Sequence, residues 1–176
     1  MARYKATVQS PCPAAETFAY LATFSNAVDW DPGVLDGEQL DPGPVRTGTR
    51  FRLVVPFLGR RLPLTYRVTS YQQDSEVTLT AINGLLHATD TITVLSGADG
   101  STVSYEAEVR LRGPLRVLGP LLGPGFRAVA DRAAAGLAYA LAELHHHGTT
   151  APPAAPQPAG MPARSAKAAP PARKAP

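Results

Sequence analysis

The chain has 176 residues, a formal charge of +3 and a single cysteine, Cys12. One cysteine excludes an intrachain disulfide and a Cys-based zinc site, and no apolar run is long enough to span a bilayer. From Thr149 onward there is no aromatic residue, no Leu, Ile or Val and no acid.

That last stretch is mostly Pro and Ala, with Arg164, Lys167, Arg173 and Lys174. It has too little apolar surface to offset ordering entropy, so 149–176 is expected to be a disordered basic tail. Residues 1–148 have the size of one ordinary domain. The tail holds four of the 17 bases and none of the 14 acids, so the formal charge is −1 up to Gly148 and +4 beyond it. The high pI belongs to the tail and gives no argument for a nucleic-acid-binding fold. The N-terminus reads as a strand, not a signal peptide, and the lone cysteine fits a reducing compartment. A cytoplasmic protein is expected.

In chain order, Arg3 to Gln9 alternates Tyr4, Ala6 and Val8 with Arg3, Lys5 and Thr7, the period of a half-buried strand. Ser10-Pro11-Cys12-Pro13 breaks it. Pro13 suits the start of a short helix with a Phe18, Leu21 and Ala22 face. Ser25 is read as the N-cap of a second short helix through Val28 to Trp30, stopped by Asp31-Pro32-Gly33. From Val34 to about Leu111 the period is two. The strands are Val34–Leu40, Thr49–Leu58, Leu62–Val68, Val77–Ala81, Leu86–Leu95 and Val103–Leu111. Their short turns demand antiparallel neighbours. Gly113 to Gly125 mixes prolines with Leu and Val. It reads as an apolar lead-in over the sheet, or alternatively as a lip over a cavity mouth or a membrane-touching patch.

Pro124 to His147 then repeats apolar residues as one helical face: Phe126, Val129, Ala130, Ala133, Leu137, Ala140, Leu141 and Leu144. Gly123 reads as N-cap, Pro124 as the first helical residue and Gly148 as C-cap. Such a helix is about 35 Å long. Its many small residues, Gly136 among them, suggest close packing on a sheet or space left beside it.

This order resembles the START-like (SRPBCC) superfamily with its helix-grip fold, and within it the polyketide cyclase/dehydrase-like proteins. The residues that carry the likeness are Pro13-Ala14-Ala15-Glu16-Thr17-Phe18-Ala19-Tyr20-Leu21, then Asn26 and Trp30-Asp31-Pro32, and Gly100-Ser101-Thr102-Val103-Ser104-Tyr105. The likeness runs from about Ala2 to Leu144. It implies an α+β fold: a curved antiparallel sheet of about seven strands wrapped around a long C-terminal helix, with two short helices after the first strand. It also implies an apolar cavity between sheet and helix. The residues placed to line it are Trp30, Phe51, Leu53 and Val55, then Tyr66, Asp90, Ile92 and Tyr105. From the last helix come Phe126, Val129 and Ala133, followed by Gly136 and Leu137.

Asp90 shares strand parity with the apolar Ala88, Ile92 and Val94. Facing inward, it would be a carboxylate with a raised pKa, a general acid or a ligand partner. The alternative is a solvated or arginine-paired aspartate. His87 and Thr89 take the other face, so a His87–Asp90 dyad within the strand needs a bulge. Tyr66 and Tyr105 lie on the apolar parity of their strands, either as ligand-facing hydroxyls or as core. Asp29, Asp31, Asp36, Glu38 and Asp41 lack calcium-loop spacing and read as a solvated acidic edge. His145, His146 and His147 fan out around a helix and cannot converge on one metal. Gly119 to Gly125 lacks the Lys-Ser/Thr of a phosphate loop. No metal and no cofactor is implied.

Three functions remain open. The first is a binding protein for a small hydrophobic or amphipathic molecule, such as a lipid, polyketide or isoprenoid. The second is a cyclase, aromatase or dehydratase using Asp90, Tyr66, Tyr105 or His87 for proton transfer. The third is an interaction module whose basic tail recruits an acidic partner.

Overall fold

The computed structural model describes residues 1–57, 59–113 and 122–149; within the last stretch, side chains are described for 131–146. The chain runs β1 (Ala2–Ser10), α1 (Ala14–Ala22), a 3-10 turn (Phe24–Asn26) and α2 (Ala27–Trp30). It continues with β2 (Asp36–Gln39), β3 (Arg50–Phe57), β4 (Arg60–Gln72), β5 (Glu76–Ile82), β6 (Leu86–Gly97) and β7 (Gly100–Leu111), and closes with α3 (Leu122–Thr149). The seven strands form one curved antiparallel sheet in the order β1-β7-β6-β5-β4-β3-β2. This is the α+β helix-grip architecture that the resemblance implies.

Short turns explain most of that order. β3 to β7 are consecutive hairpins, tightest at Gly97 and Gly100, which pair across two residues. Gly100 takes a φ of 133°, and a β-carbon there would fall 2.1 Å from the Ser10 carbonyl, so the turn needs glycine twice over. β1 instead crosses to the far side and pairs with β7 from Ala2↔Val109 to Ser10↔Ser101. A bulge between Val68 and Ser70 shifts the parity of β4 and turns the Tyr71 ring onto Phe18, 5.4 Å between centroids.

Alternation does the rest. The inner face carries Phe51 and Leu53 from β3, Leu64, Tyr66 and Val68 from β4, and Val77, Leu79 and Ala81 from β5, all buried. α1 packs against β6 and β7, while α3 packs on β1 and α2. Ala133, Leu137 and Leu141 form the buried line of α3. A fully buried leucine contributes about 1.5–3 kcal/mol, so this line anchors the helix.

Where sheet, α1 and the loop after β1 meet, buried hydroxyls replace apolar packing. Ser10 Oγ and Thr17 Oγ1 are 2.8 Å apart, and Ser101 Oγ lies 2.9 Å from Thr17 Oγ1 and 3.0 Å from the Cys12 carbonyl. The Cys12 thiol is fully buried and points at the Leu141 carbonyl, 3.7 Å away.

Several local expectations need correction. Ser25 caps nothing: it lies inside the 3-10 turn, and no side chain caps α2. The strand expected over 34–40 shrinks to Asp36–Gln39, and α3 continues through Gly148 to Thr149. Gly136 does not leave space beside the helix. A β-carbon there would fall 2.1 Å from the Trp30 carbonyl oxygen, so this glycine lets α3 and α2 touch backbone to backbone. The acidic edge is not simply solvated, because β3 brings bases to it: Arg52 pairs with Glu38 at 2.6 Å and Arg50 with Asp41 at 2.8 Å. Most of the Gly113–Gly125 lead-in, the side chains of Phe126 and Val129, His147 and the basic tail beyond Thr149 lie outside the described residues.

Candidate functional site

The inner face of β6 reads Leu86, Ala88, Asp90, Ile92 and Val94, every one buried. The pairing of β6 with both neighbours runs without a shift, so no bulge rotates His87 toward Asp90. His87 and Thr89 are half-buried on the outer face. Asp90 is 5% exposed and, among the described residues, is the one charged side chain buried on the inner face of the sheet.

Two tyrosines reach it from either side. Ile92 pairs with Tyr105 and Asp90 with Ala107, which puts Tyr105 on the diagonal to Asp90. Its hydroxyl donates to Asp90 Oδ1 at 2.6 Å. Tyr66, two strands away on β4, brings a second phenol close enough to act on the same carboxylate in the same direction. The residues between and beside them are small: Ala81 faces both Tyr66 and Ala88, and Ala107 faces Asp90. Three alanines around the carboxylate leave room for two phenol rings to lean over it.

Aromatic edges fix the two rings. Trp30 meets Tyr105 edge-on at 5.5 Å and Phe24 meets Tyr66 at 5.1 Å. Both contacts have the geometry preferred by opposed ring quadrupoles. The final turn of α2 therefore delivers Trp30 to the site, and Asp31 follows. The Gly33 N–H donates to Asp31 Oδ1 at 2.7 Å, holding that carboxylate in a tight turn, half-buried.

The electrostatics follow from burial. Desolvation pushes Asp90 up to about 6, and the nearby Asp31 charge adds to it, while the hydrogen bonds from Tyr105 and Tyr66 act in the opposite direction. Asp31 is raised too, chiefly by desolvation, with its Gly33 bond offsetting part of the effect. Burial and the Asp90 charge hold both phenols well above their usual range, so near neutrality they are hydrogen-bond donors and not phenolates. The site thus combines an acid that changes protonation state close to neutrality with two fixed O–H donors in apolar walls.

Of the positions singled out from sequence, Asp90, Tyr66, Tyr105 and Trp30 come together here, with Ile92 beside Tyr105. Ala133 and Leu137 are buried on α3. Phe51 and Leu53 pack lower on β3, where Phe51 meets Phe24 edge-on at 6.4 Å, and Val55 is half-buried. His87 is apart from the cluster. Asp31 is the site residue that sequence alone places wrongly, among the neighbouring solvated acids. Its signal is Trp30-Asp31-Pro32-Gly33, a side-chain-closed turn directly after a buried aromatic. No group of three or more His, Cys, Asp or Glu among the described residues is placed to hold a metal ion.

The sequence pattern of the family described as polyketide cyclase / dehydrase and lipid transport matches residues 1–142. No curated protein matches in sequence. Solved structures share the fold at low identity. A START superfamily protein from Mycobacterium smegmatis is 14% identical with a TM-score of 0.65, covering 80% of this chain and 97% of its own. The Zhui aromatase/cyclase from a Streptomyces species is 16% identical with a TM-score of 0.62, covering 83% and 93%. A protein from Thermus thermophilus is 16% identical with a TM-score of 0.63, covering 85% and 99%.

Proposed function

The chain belongs to the polyketide cyclase / dehydrase and lipid transport family, and from that premise we propose that it binds a small hydrophobic or amphipathic molecule between the sheet and α3. The observation that carries this reading is Asp90: a carboxyl turned into an apolar wall, bridged by Tyr105 and braced by Trp30. A carboxylate there costs stability that a leucine would not. Mostly apolar walls with a few convergent polar groups are the usual build of a small-molecule site. Among the described residues no helix is long and apolar enough to cross a membrane.

One observation favours a second reading, a cyclase- or dehydratase-type enzyme. An acid with a pKa of about 6 exchanges protons readily near neutrality, and two phenols stand beside it. Asp90 would then be the proton-transfer group and the tyrosines would orient a carbonyl.

Native mass spectrometry of gently purified protein tests the first reading. Extra mass in the small-molecule range, lost on mild denaturation, is expected. An unliganded mass, together with no response of the protein to any added amphiphile, would sink it. The enzymatic reading predicts that Asp90→Asn lowers turnover of a polyketide-type chain by about a hundredfold or more while binding persists.

A further inference from the structure

The polar end of the ligand is constrained by what the inner wall lacks. The described Lys and Arg side chains are all exposed; Arg60 shares the inner parity of β4 but stands at the open start of that strand opposite Phe57, six residues before Tyr66. Arg3, Lys5 and Arg110 pair with Glu108, Glu106 and Glu108 on the outer face. Arg50 and Arg52 are engaged with Asp41 and Glu38 at the far edge. The inner wall instead presents the Asp90 carboxylate, 5% exposed, with Tyr105 and Tyr66 at 6% and 7%, and the half-buried Asp31 close by. Tyr105 donates to Asp90 and Tyr66 stands beside it, yet a carboxylate has about four acceptor positions, so acceptor capacity remains. The faces of Trp30, Tyr66 and Tyr105 add ring surfaces of the kind that attract cations.

We propose that this site selects amphiphiles whose polar end is a protonated amine and rejects those that end in a carboxylate or phosphate. The inference rests on the reading that the domain binds an amphiphile at this wall. An ammonium would donate to the free Asp90 lone pairs and neutralise a buried charge that has no cationic partner among the described residues. An anionic headgroup would meet two carboxylates and no base. Binding of a cation favours ionised Asp90, so affinity for the amine is held above pH 6 or so and weakens as pH falls through the Asp90 pKa of about 6. The titratable groups facing Asp90 are Tyr105 on β7, Tyr66 on β4 and Asp31 after α2; the inward residues described on α3, Ala133 and Leu137, carry none.

Trp30 is the sole tryptophan and stacks edge-on against Tyr105, so its emission reports on the site. Titration of the full chain with dodecylamine, dodecanol and dodecanoate, each below its micelle concentration, separates the possibilities. At about pH 7.5 dodecylamine should bind roughly tenfold or more tighter than dodecanoate, with dodecanol between them. The preference should vanish in Asp90→Asn, read as the ratio of dodecylamine to dodecanoate affinity in the folded variant. The dodecylamine-over-dodecanol preference should also shrink in the wild type as pH falls below about 6, a measurement that needs no variant. Dodecanoate binding as tightly as dodecylamine would overturn the inference and leave the binding reading intact. A failure of all three to bind would sink the binding reading itself. A preference that survives in folded Asp90→Asn, or that ignores pH, would remove Asp90 as its cause and overturn the assignment.

Discussion

Gly136 on α3 lies directly against the carbonyl of Trp30 at the end of α2, with room for a hydrogen and no more. The contact sets how far α2 reaches toward the sheet, and with it where the Trp30 ring and Asp31 meet Tyr105 and Asp90. Gly136→Ala should therefore destabilise the protein. Alanine improves helix propensity by about 1 kcal/mol. Overpacking costs about 1–3 kcal/mol, at the high end when the obstacle is backbone, as here. A lower melting temperature with a red-shifted Trp30 emission is expected. An unchanged or higher melting temperature would mean that α2 yields freely, and the glycine would lose its assigned role.

Asp90 should make stability depend on pH in an identifiable window. Its folded-state pKa is raised from 3.8 to about 6, so the folded chain holds this proton more tightly than the unfolded chain. The resulting stabilisation is fully present below about 3.8 and lost as pH rises through about 6. A shift of that size corresponds to about 3 kcal/mol, as an order of magnitude. Asp90→Asn keeps the shape and removes the proton. Urea unfolding of both proteins should show the variant gaining on the wild type by about 2 kcal/mol between pH 4.5 and 7.5, most of the full window. A constant difference across that range would place the Asp90 pKa near its ordinary value and take the carboxyl out of the apolar wall.

The strands, hairpins and last helix were legible because period two and period 3.6 are properties of the chain itself. Asp90, Tyr66 and Tyr105 were legible for the same reason: each shares parity with buried apolar neighbours. The pairing of β1 with β7 is not readable from alternation, since nothing local says where a first strand returns. Asp31 is misread and Gly136 is left undecided between close packing and open space, because their roles arise where α2 meets α3 and the sheet. A carboxylate in a run of acids looks solvated until the turn that buries it is known. A mid-helix glycine looks like empty space until a carbonyl is found against it. Ser25 failed for a narrower reason: the 3-10 turn took the place of a cap.

The buried hydroxyl group at Thr17 should be worth more than its size suggests. Thr17 lies within hydrogen-bond distance of both Ser10 and Ser101, and all three are buried. Thr17→Val is isosteric and leaves two hydroxyls short of a partner, which costs about 1–3 kcal/mol. Thr17→Ser keeps the oxygen and loses one methyl, so it should cost less. Equal losses in the two variants, read by chemical denaturation, would mean that packing of the methyl matters and the hydroxyl junction of β1, α1 and β7 does not.

Tyr105→Phe should act on Asp90 before it acts on the fold. The Tyr105 hydroxyl is the stronger of two donors that hold the Asp90 pKa down against desolvation. Without it the carboxyl should titrate above 6, visible in the side-chain carboxyl carbon by NMR. The stability loss should itself depend on pH. A hydrogen bond to a charged group contributes about 1.5–3 kcal/mol, and this one is made to the ionised form. The variant should therefore lose more stability near pH 8, where Asp90 carries its charge, than near pH 5, where it is mostly neutral. Tyr66→Phe should move the same pKa in the same direction by less, because its bond to Asp90 is the weaker of the two. A larger effect from Tyr66 than from Tyr105 would reverse their order. No effect from either would mean that the two phenols are packing residues and that Asp90 finds its partner elsewhere.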